Sequence, residues 1–466
     1  MVFSSLLFLT IFLPITVGLY YILPKMARNC LLLAVSLVFY AWGEPTHIFV
    51  MLVTTLYIWV FGLLMAKAME KGKRGTARLF LILTLILSLG TLVFFKYTGF
   101  LVSTMPFLEG TALGALEIAL PIGISFYTFQ ALSYIIDVYR GQVKAQKSWI
   151  NFAMYISLFP QLIAGPIVRY SDVENQLTDR TTSFDLMAAG IRRFTLGLGK
   201  KVLLANQIGA LWELLSGNGT VLGAWVAALA FALQIYFDFS AYSDMAIGLG
   251  KMFGFHFTEN FDYPYESQSA TEFWRRWHMT LGTWFREYVY IPLGGNRKGT
   301  GRQLLNLLIV WFLTGFWHGA AWQFILWGLY YFVFLALEKL VLLKLMKRIP
   351  AFVRHIYLLL VVLLGWVLFA CEDIAAAGAM YSTMFGVGAP LWDATAVFYL
   401  LGSIALLVLC AVGATQLPKR LAARLESKLG ERAYRYVTYV VIFAVLAASM
   451  AFLVADSYNP FLYFRF

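Results

Sequence analysis

The chain opens on an apolar run from Val2 to Leu23. Comparable runs recur from Leu79 to Leu101, Trp225 to Leu249, Ala320 to Leu343 and Val437 to Val454. A bilayer core about 30 Å thick needs about 20 apolar residues per helix. The runs are continuous and do not alternate apolar with polar residues, which excludes a transmembrane β-barrel. The pattern therefore predicts an all-α, polytopic helical membrane protein with roughly ten to twelve crossings. Residues 1–466 are expected to form a single integral-membrane domain. The first run has no basic residue before it, contains Pro14 and lacks a small-residue cleavage pattern. It is read as a retained helix and not as a signal peptide.

The polar residues between the runs alternate in character. Lys25 and Arg28 follow the first run. The loop with Glu44, Pro45 and His47 carries no Lys or Arg, and Lys67, Lys71, Lys73, Arg74 and Arg78 make the next loop strongly basic. The loop with Glu109 is again without basic residues, and Arg140, Lys144 and Lys147 follow. Toward the end, Lys344, Lys347, Arg348 and Arg354 form one basic loop. Lys419, Arg420, Arg424, Lys428, Arg432 and Arg435 form another, with Glu372 and Asp373 between them. Basic loops lie on the cytoplasmic side, so the N-terminus and the closing DSYNPFLYFRF are expected outside.

Two stretches depart from this rhythm. Asn151 to Leu215 mixes apolar runs with Gly165-Pro166 and several basic residues, and irregular backbone at membrane depth requires surrounding protein or a watery cavity. PIGISFYTFQ and LFPQLIAGPIVRY look like unwound or kinked segments of that kind. Lys251 to Gln303 is polar but rich in aromatic residues, and is read as interfacial or re-entrant helices on the basic side.

Composition agrees: 61% of residues are hydrophobic and 13% charged, against about 25% charged in soluble proteins, and the mean hydropathy is +0.75. The net charge of +12 follows from the basic loops and needs no nucleic-acid partner. Cys30, Cys371 and Cys410 have neither metal-ligand spacing nor an evident disulfide scheme, and no Cys/His cluster points to a structural metal. There is no phosphate-binding G-x-x-x-x-G-K-[ST] loop and no G-x-S-x-G elbow.

Of the five histidines, His47, His256 and His355 are read as structural. His318 is different. The apolar arm from Leu304 to Trp317 has about 14 residues and reaches about 21 Å, short of the bilayer core. His318-Gly319 at its end should therefore turn within the membrane, nearer the outer face. An ionisable group at that depth is a functional candidate, and imidazole suits general-base work near neutral pH. His278 lies in TEFWRRWHMTLGTW, where Trp274, Trp277, His278, Leu281 and Trp284 fit one helix face. Arg275 and Arg276 beside it can meet the phosphates of an anionic donor, or snorkel from an interfacial helix. Asp238 and Asp244 in YFDFSAYSDMAIGLG can position a histidine, bind a hydroxyl or cap helix ends.

Taken in order, MVFSS, PIGISFYTFQALSYIIDVYRG, LIAGPIVRY, YFDFSAYSDMAIGLG, SATEFWRRWHMTLGTWFREYVYIPLGGNRKG and GFWHGAAW resemble the membrane-bound O-acyltransferases (MBOAT), specifically the bacterial branch of alginate O-acetyltransferases. The resemblance runs from Met1 to about Glu338 and is weaker beyond Leu343. It implies a ring of tilted helices around a thin centre with a tunnel open to both faces. It makes His318 the essential histidine and His278 the second motif histidine. The implied donor is acetyl-CoA or a similar cytoplasmic acyl thioester, used as substrate, with no bound cofactor and no metal. The implied location is the bacterial cytoplasmic (inner) membrane, among membrane lipids. The implied partner is an extracytoplasmic SGNH-type or AlgJ/AlgX-like protein that passes the acyl group to a polysaccharide such as alginate or a cell-wall polymer. FLYFRF resembles the aromatic tail of bacterial acyl-export systems, which makes Tyr463 a candidate acyl carrier; otherwise it is an interface anchor. A D-alanyl or longer acyl group is the neighbouring enzymatic alternative. A transporter without covalent chemistry is the alternative of another class, although no inverted repeat is visible.

Overall fold

The computed structural model describes residues 1–108, 110–111, 116, 118–455 and 461–462. Tyr463 lies outside the described residues. Among the described residues the regular structure is helical, with a lone antiparallel bridge between Phe261 and Trp277. Among the described residues seven helices are long and apolar enough to cross a bilayer: Ile48–Glu70, Arg74–Thr104, Val221–Met252, Trp322–Met346, Ala351–Ala370, Ala394–Gly413 and Leu417–Ala455. Six of them keep apolar side chains exposed over wide faces, Ile86 and Phe443 among them, as lipid-facing helices require, whereas Val221–Met252 is mostly buried.

The other apolar runs form shorter pieces, which is why seven long helices stand where the hydropathy pattern suggested more crossings. Phe8–Ile22 is one of the shorter apolar helices. Arg28–Ala41 has 14 residues. The apolar stretch from Ile118 becomes helical only at Ile124, behind Gly123. The last helix begins at Leu417, before the expected start, and breaks at Gly430 (φ 77°, ψ 158°). The break falls within the basic stretch, with Arg432 and Arg435 following it before the helix turns apolar.

The chain divides into two compact units, Met1–Phe194 with Met245–Thr258, and Thr195–Asp244 with Glu259–Phe466. In the first, Phe3, Phe8, Phe39 and Phe159 pack as mutually contacting rings in a buried core. The turn-rich segment 158–168 is buried, and protein groups take up several of its hydrogen bonds. Phe159 N–H donates to Ser36 Oγ (3.1 Å), Gln161 Nε2 to the Tyr155 carbonyl (2.6 Å) and Tyr155 OH to the Val168 carbonyl (2.8 Å). Irregular backbone is thus enclosed by protein, as the low dielectric of a membrane demands. Gly123 has φ +75° and a Cβ there would lie 2.5 Å from the Leu162 carbonyl oxygen. Both facts require glycine.

The second unit holds Trp274, Trp277, Trp327, Tyr331 and Trp366 in one aromatic core. Its tightest helix pair is Gly299–His318 against Trp322–Leu337. These meet at Gly315 and Gly328, where either Cβ would run into the opposite backbone. Four-residue glycine and small-residue contacts of this kind let helices approach closely.

Candidate functional site

His318 is the last residue of Gly299–His318, and Gly319 is extended before the next helix starts at Trp322. The reversal read from the sequence is present. The arm, however, has 20 residues because the helix starts at Gly299, a rise of about 30 Å. A short arm is therefore no argument for the depth of His318. The added residues at its start, 299–303, are glycine or polar, and the preceding loop holds Arg302 among them and Asn306 further along. Arg302 donates to the Leu293 carbonyl (3.2 and 3.1 Å) and Asn306 Nδ2 to the Gly295 carbonyl (2.9 Å).

The His318 ring is partly exposed and fixed by three aromatic neighbours. It meets Trp317 at 5.0 Å, Trp327 at 5.1 Å and Phe369 at 5.4 Å, each in edge-on geometry. Trp327 and Phe369 come from Trp322–Leu337 and Ala351–Ala370, so three helices set the ring plane. Gly319 admits this packing, since a Cβ there would collide with the Phe324 ring.

His278 is buried, and its surroundings correct the expected helix face. The helix Ala270–Arg276 stops, Trp277 is extended, His278 is left-handed (φ 46°, ψ 52°), and a new helix runs Met279–Phe285. The backbone bonds that would continue the helix go elsewhere. Asp262 N–H donates to the Arg276 carbonyl and Met279 N–H to the Asn260 carbonyl (2.9 and 3.0 Å), around the Phe261–Trp277 bridge. A left-handed non-glycine residue costs of order 1–3 kcal/mol and persists where its surroundings over-determine it. Here the determinant is Asn260, which is fully buried. Its Oδ1 accepts from the Thr280 amide (3.2 Å), the Thr280 hydroxyl (2.8 Å) and His278 Nδ1 (3.1 Å), while its Nδ2 donates to Ser243 (3.1 Å). Because that atom accepts the Thr280 amide it is the oxygen, so His278 carries its proton on Nδ1 and presents Nε2 as a lone-pair nitrogen. Burial lowers the His278 pKa to about 3 from 6.5, which keeps the ring neutral. Sequence reading missed Asn260; a polar residue just before the aromatic FDYPY was its only signal.

The two histidines share one neighbour. Trp317, itself buried, meets His318 at 5.0 Å and His278 at 6.2 Å. Phe239 closes on His278 at 4.7 Å.

The arginines differ. Arg275 is exposed. Arg276 is paired with Glu272 (2.8 Å) one turn back. Ser269 caps their helix by accepting the Glu272 amide (3.1 Å). Glu338, fully buried, accepts the Ala270 amide (2.6 Å), the Thr271 amide (2.8 Å), the Thr271 hydroxyl (2.6 Å) and the Tyr357 hydroxyl (3.2 Å). A carboxylate at a helix N-terminus is favoured by unpaired amides and the dipole.

Asp238 and Asp244 are ion-paired with Lys201 and Lys200, both at 2.6 Å. The other histidines are held locally. His47 Nδ1 meets Glu44 (2.5 Å), His355 Nδ1 the Ser267 carbonyl (3.0 Å), and the amide of exposed His256 donates to Gln176 (2.8 Å). The cysteines are free, with Cys30 exposed and Cys410 buried. Among the described residues no three His, Cys, Asp or Glu side chains gather as a metal site.

The family model of MBOAT, the membrane-bound O-acyltransferase family, matches residues 38–381. The chain is 41% identical to the "Probable alginate O-acetylase AlgI" of Pseudomonas putida and 39% identical to that of Azotobacter vinelandii, over all of both chains in each case. It is 32% identical to the "Peptidoglycan O-acetyltransferase" of Helicobacter pylori, over 83% of this chain and 80% of that one.

Proposed function

The chain belongs to the membrane-bound O-acyltransferase family, and on that premise we propose that it takes an acetyl group from cytoplasmic acetyl-CoA and delivers it for O-acetylation of an extracytoplasmic polysaccharide. The polymer is alginate or a cell-wall polymer, the classes its relatives are named for. The enzyme works in the bacterial inner membrane, with basic loops toward the cytoplasm and a tunnel through its thin centre connecting donor and acceptor sides.

The observation that carries this reading is the His318 imidazole, partly exposed at a helix end and locked among Trp317, Trp327 and Phe369. A ring fixed in that way serves proton transfer without reorganisation. In the reaction, an acceptor hydroxyl oxygen attacks the thioester carbonyl carbon. Its proton passes to His318 as the carbon–oxygen bond forms. The carbon–sulfur bond then breaks, and the proton passes from His318 to the departing thiolate. Atoms and charge balance as ester plus free thiol. Exposed Arg275 holds the donor, with Arg276 in a lesser part because Glu272 already engages it, and buried His278 helps to position it.

The first acceptor is the Tyr463 phenol, activated by His318 because an unperturbed phenol has pKa about 10. The acetyl ester is then passed to a hydroxyl of an SGNH-type or AlgJ/AlgX-like partner, which returns the phenol proton and carries the acyl group to the polysaccharide. Radiolabelled acetyl-CoA given to the purified protein in lipid nanodiscs should yield acyl-protein. His318→Ala should lower the rate by about 10²–10⁴-fold, the usual contribution of a positioned acid–base group. Full transfer by His318→Ala refutes the base assignment, and full transfer by Tyr463→Phe refutes the carrier.

A further inference from the structure

Lys201 and Asp238 form an ion pair at 2.6 Å with side chains only 2% and 4% exposed. A pair of charges removed from water is costly unless its remaining hydrogen-bonding capacity is used. Here the second carboxylate oxygen is used by the chain's own closing segment. The Leu462 backbone N–H donates to Asp238 Oδ2 at 2.7 Å. Lys201 Nζ lies 4.5 Å from the Phe461 ring centroid. Tyr242 meets the same ring edge-on at 5.0 Å. Phe461 and Leu462 are both buried.

The elements explain the convergence. Asp238 and Tyr242 are four residues apart on Val221–Met252, so they share a helix face. Lys201 comes from the π-helical turn Lys200–Ala205, a local widening that occurs often at functional sites. One backbone amide and one aromatic ring are thus read by a carboxylate, an ammonium and a phenol ring. Backbone hydrogen bonding combined with a side-chain pocket is how folded proteins hold peptide segments.

We propose that the Lys201–Asp238 pair seats Phe461 and Leu462 and, through the next peptide bond, positions Tyr463 for acyl loading. Tyr463 follows Leu462 directly, so a seated Leu462 amide limits how far the phenol can travel. The pair touches neither donor nor acyl group and acts as a positioning pair. The catalytic consequence rests on the reading of Tyr463 as carrier; the seating does not.

Two double variants separate the acceptor from the charges. Lys201→Met with Asp238→Asn removes both charges and keeps a carbonyl oxygen for the Leu462 amide. Lys201→Met with Asp238→Leu removes the charges and the acceptor at similar volume, and leaves no uncompensated buried ion. Hydrogen–deuterium exchange of the closing peptide, on full-length protein in nanodiscs, reads the amide directly. Exchange at Leu462 should be at least about tenfold slower in the wild type and the Asn variant than in the Leu variant, the factor that one charge-assisted or neutral hydrogen bond supports. With acetyl-CoA as donor, the Leu variant should lose kcat for acyl-Tyr463 formation while its KM for acetyl-CoA stays unchanged, and the Asn variant should recover much of the loss. Equal exchange in the wild type and the Leu variant overturns the seat. Equal kcat overturns the positioning role. Full transfer by Tyr463→Phe removes the carrier reading alone, and the exchange comparison, which involves no acyl chemistry, then decides the seat.

Discussion

Gly315→Ala tests how the fold places His318. The substituted methyl would meet the Phe324 carbonyl oxygen, with the Phe324 carbonyl carbon at 3.1 Å and Gly328 Cα at 3.2 Å. All three are backbone atoms and none can rotate away. Adding one methyl to a packed interface costs about 1–3 kcal/mol, and immovable neighbours put this site in the upper part of that range. Alanine recovers about 1 kcal/mol of helix propensity over glycine, which leaves a net loss of about 1–2 kcal/mol. The strain is relieved by separating Gly299–His318 from Trp322–Leu337, the helices that bring Trp317 and Trp327 to the His318 ring. A shift of about 1 Å in a reacting group can cost about 10²-fold in rate. Thermal unfolding in detergent and acetyl transfer from radiolabelled acetyl-CoA should both fall. Gly301→Ala in the same helix is the control, because nothing lies within 4 Å of a Cβ there; it should keep activity and gain slightly in stability. Wild-type melting and activity in Gly315→Ala refute the packing argument, and so does an equal loss in Gly301→Ala.

Four further outcomes are expected. Between pH 3 and 6.5 the unfolded chain binds a proton at His278 that the native state refuses. Its contribution to stability is therefore complete above about pH 6.5 and declines by about 1.4 kcal/mol per unit below it; His278→Asn should flatten melting temperature against pH from 7 to 5, and an unchanged slope would show that the ring is not held neutral. Asn260→Ala removes the acceptor shared by Thr280 and His278 and should cost about 1–3 kcal/mol together with most of the acetyl transfer, measured by unfolding and turnover. Glu338→Ala leaves the Ala270 and Thr271 amides without their acceptor, so stability should drop by about 1–3 kcal/mol and the KM for acetyl-CoA should rise as the arginine-bearing helix loosens. Arg275→Gln should raise that KM more than Arg276→Gln, and added salt should shrink the difference, since exposed charges are screened; equal effects would refute the distinction drawn from the Glu272 pair.

The helical membrane fold was legible because hydropathy and loop charge are local properties, readable one segment at a time. So was the reversal at His318-Gly319, where a glycine and two flanking apolar runs leave few alternatives. The helix face drawn through Trp274, Trp277 and His278 was not legible, because it assumed that each backbone amide bonds within its own segment. Instead the Asn260 carbonyl accepts from the Met279 amide and the Asp262 amide donates to the Arg276 carbonyl, 19 and 14 residues apart in the chain, and nothing local announces it. The length of the His318 arm was misjudged for a related reason: the glycine-rich and polar residues 299–303 join the helix, with the Arg302 side chain donating to the Leu293 carbonyl of the preceding loop. Asp238 and Asp244 were visible as carboxylates in an apolar run, yet their partners Lys200, Lys201 and the Leu462 amide are distant in sequence. The chain by itself thus determined which runs are apolar enough for lipid and which motifs stand in which order. Tertiary structure alone decided which charges pair, which imidazole nitrogen holds its proton and which rings meet at Trp317, because each of these depends on atoms that only the folded chain brings together.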